Sequence, residues 1–480
     1  MDKELFRKYG YEIVDWIADY FENVKKYPVK SRVNPGDIKS RLPEQPPEEG
    51  EDMSAIWQDF QEIILPGITH WQHPGWFAYF PANNSPPSVL AEMLTAGLGV
   101  QCMIWETSPA AAELEEVVLD WLRQMLGLPE GLKGVIQDTA STASLCALLT
   151  AREVATGFTS NEKGLNNNLR VYTSEEGHSS IEKAVKIAGF GRENICYIPT
   201  DHNYAMQPEK LKQAIENDLS EGKKPACVIA TIGTTSSTAI DPLPDIGHIC
   251  KKYNIWLHVD AAFAGTASML EEKSELLKGA EYLDSFVFNP HKWLFTNFDC
   301  SAYFVKDPDL LIKTMAINPE YLKTAKDEQV NNYRDWGIQL GRRFRALKLW
   351  FVIREYGVNG LKEMIRKHIK LAQLFADWIN NSKEFELLAP VSTTLVCFRW
   401  NDGQKTEEEL NKFNQTLLKN INESEHVYLT HTTLSGRFTI RMAIGQRNTE
   451  KEDVAYAWEI INAAAENIKS STQNNNNDGQ

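Results

Sequence analysis

Ser285-Phe286-Val287-Phe288-Asn289-Pro290-His291-Lys292-Trp293 decides the fold. The apolar run Ser285 to Phe288 reads as a buried strand, and a lysine between a histidine and an indole follows its carboxyl end. A lysine held against aromatic neighbours where a strand emerges is desolvated. Its pKa falls, and the free amine can attack a carbonyl.

Upstream, Ile255-Trp256-Leu257-His258-Val259-Asp260-Ala261-Ala262-Phe263 reads as a second buried strand that ends in a carboxylate followed by small residues. In open α/β sheets, ligands bind outside the carboxyl ends of strands, so Asp260 and Lys292 are expected to face one crevice. A carboxylate against a pyridine nitrogen keeps that ring protonated, as pyridoxal phosphate chemistry requires.

Around these strands, residues 76 to 355 alternate strand and helix patterns as a mostly parallel sheet demands. Strands are predicted at Val171 to Thr173, Val228 to Thr231 and Ser301 to Val305, with a crossover helix at Pro244 to Lys252. Ser108-Pro109 opens a helix that stops near Gly127, and a long helix is expected from about Gln339. Residues 1 to 75 form a leading helical unit: Phe6, Tyr9, Ile13, Ile17, Phe21 and Val24 make one apolar stripe, followed by an acidic, proline-rich connector. Residues 356 to 469 mix helices and short strands into a small α+β domain, with a capping box at Thr406 and Glu409. The tail from 470 to 480, with Asn474 to Asn477 in a row, is expected to be disordered.

Composition narrows the function classes. Fifty basic residues against 65 acidic ones give a net charge of -15, which repels phosphate backbones and argues against nucleic acid. The seven cysteines lie far apart without a CxxC pair, so neither zinc nor a disulfide framework is indicated, and reduced thiols fit a cytoplasm. No apolar signal-peptide block follows Met1, and the uncharged segment 63 to 91 is broken by prolines, so no membrane span is expected.

Phe6, Thr69-His70-Trp71, Phe77-Ala78-Tyr79-Phe80-Pro81, His258-Val259-Asp260-Ala261-Ala262, Asn289 to Trp293 and Gly341-Arg342-Arg343-Phe344-Arg345 together resemble the group II decarboxylases that depend on pyridoxal phosphate. Within that group the chain is most similar to the aromatic L-amino acid decarboxylases, over nearly all residues up to about 460. Several motifs in one order are specific where any one alone would not be. The resemblance implies fold type I of the pyridoxal-phosphate enzymes and a homodimer with the active site near the subunit interface. It also implies conversion of an aromatic L-amino acid to its amine and CO2.

Residue by residue, it implies Lys292 as the Schiff-base lysine and Asp260 as partner of the ring nitrogen. Ala140 and Ser141, small and hydroxyl residues just before a helix expected over Ala143 to Thr156, are implied to hold the phosphate on free N-H groups, with Asn289 and His291. His178, beyond the strand at Val171 to Thr173, is expected to stack on the ring and reach the substrate carboxylate. Thr234 and Thr235 would line the crevice, and Thr235 is implied to touch the cofactor.

The stretch Pro319 to Asp335 carries little apolar periodicity and reads as an exposed loop able to close over substrate. Tyr321 within it is placed to return a proton after CO2 leaves. In the family, tyrosine here goes with simple decarboxylation and phenylalanine with oxidative conversion to an aldehyde. Trp71, Phe77, Tyr79, Phe80 and Trp105 read either as core or as an aromatic substrate wall, with Pro81, Ala82, Met103 and Gly341 among the expected substrate contacts. Gly341 matches relatives that take indoles. Ala82 stands where animal relatives carry threonine, and Gln101 and Met103 replace apolar and aromatic lining. Tryptophan, phenylalanine, tyrosine and hydroxylated analogues therefore all stay open as substrates. The rival readings are an aromatic acetaldehyde synthase of the same group and, from another class, a noncatalytic dimeric scaffold.

Overall fold

In the computed structural model, described over residues 1–165, 168–317, 326 and 329–477, a seven-stranded sheet forms the centre. Its strands are β1 (Lys133–Gln137), β2 (Leu169–Ser174), β3 (Ile195–Ile198), β4 (Lys224–Thr231), β5 (Trp256–Asp260), β6 (Ser285–Phe288) and β7 (Ser301–Val305). Their order is β1-β7-β6-β5-β4-β2-β3, and only β7 runs antiparallel to its neighbours. Strands β4 to β7 are buried almost throughout, and their β-branched and aromatic runs match a sheet covered on both faces. The β4–β5–β6 register sets Thr231 opposite Asp260 and Asp260 opposite Val287, so three strands end side by side and deliver their following residues to one edge.

The helix Ala140–Thr156 packs across that sheet and starts with Thr139 as its N-cap. It begins three residues earlier than an Ala143 start, because Ala140 and Ser141 complete its first turn. The helix Pro109–Leu126 ends on Gly127 in the left-handed conformation, as the sequence predicts. The long helix starts at Arg345 rather than near Gln339. Arg342 explains the delay: its guanidinium is buried against Glu115 (2.6 and 3.2 Å) and the carbonyl of Ile136 (2.9 Å), which holds the approach segment extended. That helix runs to Asn381 with a break at Gly357, where φ is 63° and ψ 165°.

A four-stranded antiparallel sheet, β10-β11-β9-β8, carries a second apolar core. Its strands are β8 (Phe385–Leu387), β9 (Leu395–Trp400), β10 (Thr430–Leu434) and β11 (Arg437–Ala443). The helices Glu407–Glu423 and Lys451–Asn477 cover it, the first with the expected capping box. The final helix thus continues through 470–477, where composition predicts a structureless tail. Phe77 is fully buried in this second core, so it is no part of a substrate wall.

The leading helix is Lys3–Asn23, and the chain after it is tied to the small domain by Val29 N-H to Glu425 O (2.9 Å) and the Lys25–Asp453 ion pair. Among the described residues no helix is long and apolar enough to cross a membrane.

Candidate active site

Three parallel strand ends and one helix start enclose a cleft of about 240 Å³. Phe80, Ala140, Ser141, His178, Thr235, Asp260, Asn289, His291 and Lys292 all line it, so the structure gathers residues scattered from position 80 to position 292. Thr139, Ser180, Thr231, Gly233, Phe263 and Phe298 line it as well, and sequence reading missed them in this role.

Lys292 lies in the one-turn helix Pro290–Trp293 directly after β6. Enclosure by protein pushes its ammonium below the usual lysine range, and the charge of Asp260 pulls the other way. The amine stands 5.5 Å from the centre of the Phe80 ring, whose other neighbours are Phe263 (4.1 Å between centres) and the guanidinium of Arg441 (5.4 Å). Asp260, buried at the end of β5, accepts the N-H of Ala262 at 3.0 Å.

The two histidines have defined proton positions. Cys300 N-H donates to His291 Nδ1 (2.9 Å), so the proton of the neutral ring sits on Nε2. Burial, with Lys292 adding to it, holds His291 down to about 3. At His178, Ser180 N-H donates to Nδ1 (3.1 Å) and Ser180 Oγ lies 2.7 Å away, which again leaves Nε2 as the donor. Partial desolvation at the cleft mouth lowers the pKa of His178; Asp260 opposes that shift and Lys292 adds to it.

Asn289 Oδ1 is taken by Ser301 Oγ (2.7 Å), so its amide nitrogen is the part left to meet a ligand. Thr231 Oγ1 is buried in the cleft wall with no hydrogen-bond partner among the described residues. Thr234 does not line the cleft. Its hydroxyl is consumed in the turn after β4, accepting Ala239 N-H (3.0 Å) beside Ser237. That turn instead presents Thr235.

The other expected substrate contacts lie outside this cleft within one chain. Trp71 packs on Trp76 and Tyr79 (ring centres 4.3 and 6.0 Å apart), and Tyr79 is half exposed. Pro81 meets the Gly445 backbone, Ala82 O accepts Gln72 Nε2 (2.6 Å), and Met103 O accepts Arg334 N-H (2.8 Å). At Gly341 a side chain would meet Gln101 Nε2 at 3.2 Å. Trp105 donates its indole N-H to Glu113 (2.9 Å). Tyr321, with 318–325, lies outside the described residues. Tyr333, Arg334 and Asp335 are buried, contrary to the exposed loop expected as far as Asp335.

The residues fit pyridoxal phosphate. Free N-H groups at the start of a 17-residue helix, the Nε2-H of His291 and the Asn289 amide supply donors for a dianion. The orphaned Thr231 hydroxyl awaits a polar partner, Asp260 supplies a carboxylate, and Lys292 supplies a depressed amine. A lysine and a carboxylate brought together at parallel strand ends beside such a helix start define a pyridoxal-phosphate enzyme of fold type I.

Residues 35–401 match the family model described as the pyridoxal-dependent decarboxylase conserved domain, and the chain belongs to that family. It is 43% identical over 478 residues to tryptophan decarboxylase 2 of Oryza sativa subsp. japonica, covering 98% of this chain and 96% of that protein. It is 45% identical over 476 residues to phenylacetaldehyde synthase of Arabidopsis thaliana, covering 97% and 96%. The crystal structure of Oryza sativa TDC with PLP and tryptamine superposes with a TM-score of 0.95 at 36% identity, covering 98% and 99% of the two chains.

Buried neutral histidines set an acid limit on this fold. Burial holds His258 to about 4 and His368 to about 3, as it does His291. An unfolded chain takes up those protons near pH 6.5 and the folded one does not, so stability is intact above 6.5 and falls as pH drops toward 4. Each histidine contributes on the order of 3 kcal/mol to that loss. Urea midpoints measured from pH 7 to pH 4.5 should fall steadily, and His258→Gln should flatten the slope.

Proposed function

We propose that this enzyme decarboxylates an aromatic L-amino acid to the corresponding arylalkylamine and CO2. When bound, pyridoxal phosphate supplies an aldehyde carbon for the amino group and a ring that accepts the electrons of the broken bond. The observation that carries the reading is the joint placement of Lys292 and Asp260 on one cleft, with His178 also in its lining.

Each residue then has a physical task. Lys292, its proton weakly held, would hold the cofactor through its amine and give that place up to the substrate amine. Asp260 keeps positive charge at the ring nitrogen. Ala140, Ser141, Asn289, His291 and Thr235 fix the cofactor in place. His178 would offer its Nε2-H to the substrate carboxylate and so fix how that group is oriented. Phe80 gives a flat wall, and Trp71, Tyr79, Pro81, Ala82, Met103 and Gly341 complete the substrate pocket across a subunit interface.

A homodimer is supported by what one chain leaves open. Ser141, His178, Thr235 and Phe298 at the cleft mouth are exposed, and Leu90, Met93, Leu94 and Leu98 form an uncovered apolar face on the helix Pro86–Leu98. A cytoplasmic setting is supported by seven free cysteines. The organisation proposed is an arm (1–75), a cofactor domain (76–355), a small domain (356–469) and a tail.

A panel of tryptophan, phenylalanine, tyrosine and their hydroxylated forms, scored by CO2 release, tests the substrate class. Absence of CO2 from every member defeats the proposal. The second reading, an acetaldehyde synthase, is favoured by the 45% identity to a phenylacetaldehyde synthase. Peroxide formed in step with CO2, without amine, would select it.

Tyr321 is the proposed proton donor to carbon, since a phenol with pKa about 10 keeps its proton at neutral pH. Tyr321→Phe should divert most product from amine to aldehyde and peroxide. Undiminished amine output would place the donor elsewhere.

A further inference from the structure

The one-turn helix Pro290–Trp293 that carries Lys292 is too short to satisfy its own carbonyls. Leu294 N-H closes on Pro290 O, but the carbonyls of His291 and Lys292 look outward to one side chain and its backbone. That residue is Asn83, 1% exposed and remote in sequence. Its backbone N-H donates to His291 O at 3.0 Å, and its Nδ2 donates to Lys292 O at 2.8 Å.

The same amide reaches the small domain. Nδ2 also donates to Gly445 O (2.8 Å), and Oδ1 accepts Arg447 N-H (3.0 Å), in the loop just beyond β11. Both amide hydrogens and the amide oxygen are therefore used. At Gly445 the loop packs tightly on the segment before Asn83: a Cβ there would stand 2.8 Å from the Pro81 ring. Segments 81–83, 291–292 and 445–447 thus meet on Asn83.

We propose that Asn83 is a positioning residue for Lys292, locking the backbone that aims the reactive amine and coupling it to the small domain. This rests on the reading of Lys292 given above. The side chain cannot be replaced by its isostere without cost. An aspartate would keep the acceptor for Arg447 but would turn lone pairs toward two carbonyl oxygens. An alanine would leave both carbonyls buried and unpaired.

The test uses the full chain as holoenzyme and after removal and resupply of pyridoxal phosphate. Three variants, N83A, N83D and N83S, are compared with wild type and with N84A, a neighbour outside this junction. The readouts are the rate of the visible absorbance that follows cofactor addition at several pH values, borohydride labelling of residue 292 with peptide mapping, and the split between kcat and KM.

Asn83→Ala and Asn83→Asp should slow labelling of Lys292 at least tenfold and shift its pH profile. They should also lower kcat with little change in KM, while N84A behaves as wild type. N83S, which keeps one hydroxyl donor, should fall between and carries the test if the other two do not fold. Folded variants that match wild type within twofold in labelling rate and kcat, with an unmoved pH profile, overturn the proposal. Failure to label position 292 in wild type would instead strike the reading of the reaction itself.

Discussion

Lys292→Ala should abolish amine formation, with a fall of about a thousandfold or more in kcat, while the protein stays folded and still binds pyridoxal phosphate. The reason lies in what surrounds the amine. Its environment lowers its pKa, so the folded state disfavours a charge that the unfolded state carries freely. Below the usual lysine range the unfolded chain binds the extra proton, and the native site is destabilised by holding this group. Removing it relieves that cost, so the cofactor-free variant should melt at the same temperature as wild type or higher. A structural lysine would give the opposite pattern, with lost stability and modest loss of rate. The decisive measurements are CO2 release and thermal unfolding of the stripped protein. Retained turnover would end the proposed mechanism.

Much of this site was legible because its chemistry sits where strand patterns stop. The runs ending at Asp260 and Phe288 are apolar without alternation, and a carboxylate or lysine just past such a run has one place to go, the carboxyl edge of a covered sheet. Ala140 and Ser141 were readable through the family resemblance, and small and hydroxyl residues in a helix's first turn do leave N-H groups free.

What stayed hidden depends on partners far away in the chain. Nothing near Phe77 indicates that it fills the core of the small domain, and nothing near Thr234 shows that Ala239 and Ser237 consume its hydroxyl. The long helix was placed too early because helical spacing before Arg345 cannot reveal that Glu115 holds Arg342 out of it. Residues 333 to 335 look polar enough for an exposed loop, yet they pack inside with Trp336 beside them. Asn83 is the extreme case: its side-chain partners are all backbone atoms, and backbone atoms leave no trace in side-chain spacing.

Asp260→Asn separates the two tasks that charge performs in this cleft. The substitution keeps the shape and leaves an oxygen to accept Ala262 N-H, now 3.0 Å from Asp260 Oδ1, so the strand end should not move. What is lost is one negative charge, and two consequences run in opposite directions. Asp260 raises the pKa of both Lys292 and His178, so without it each falls further. The amine of the stripped variant should therefore be free, and react with an aldehyde, at lower pH than in wild type. Turnover should nevertheless collapse by about 10² to 10⁴, because on the proposed mechanism Asp260 would supply the negative charge that keeps the cofactor ring an electron acceptor. A merely structural carboxylate would weaken cofactor binding and turnover together, and would leave the pH profile of Lys292 unmoved. Titrating aldehyde adduct formation against pH, alongside kcat, distinguishes these cases. An unshifted titration with near-normal kcat would show that the ring nitrogen takes its charge from elsewhere.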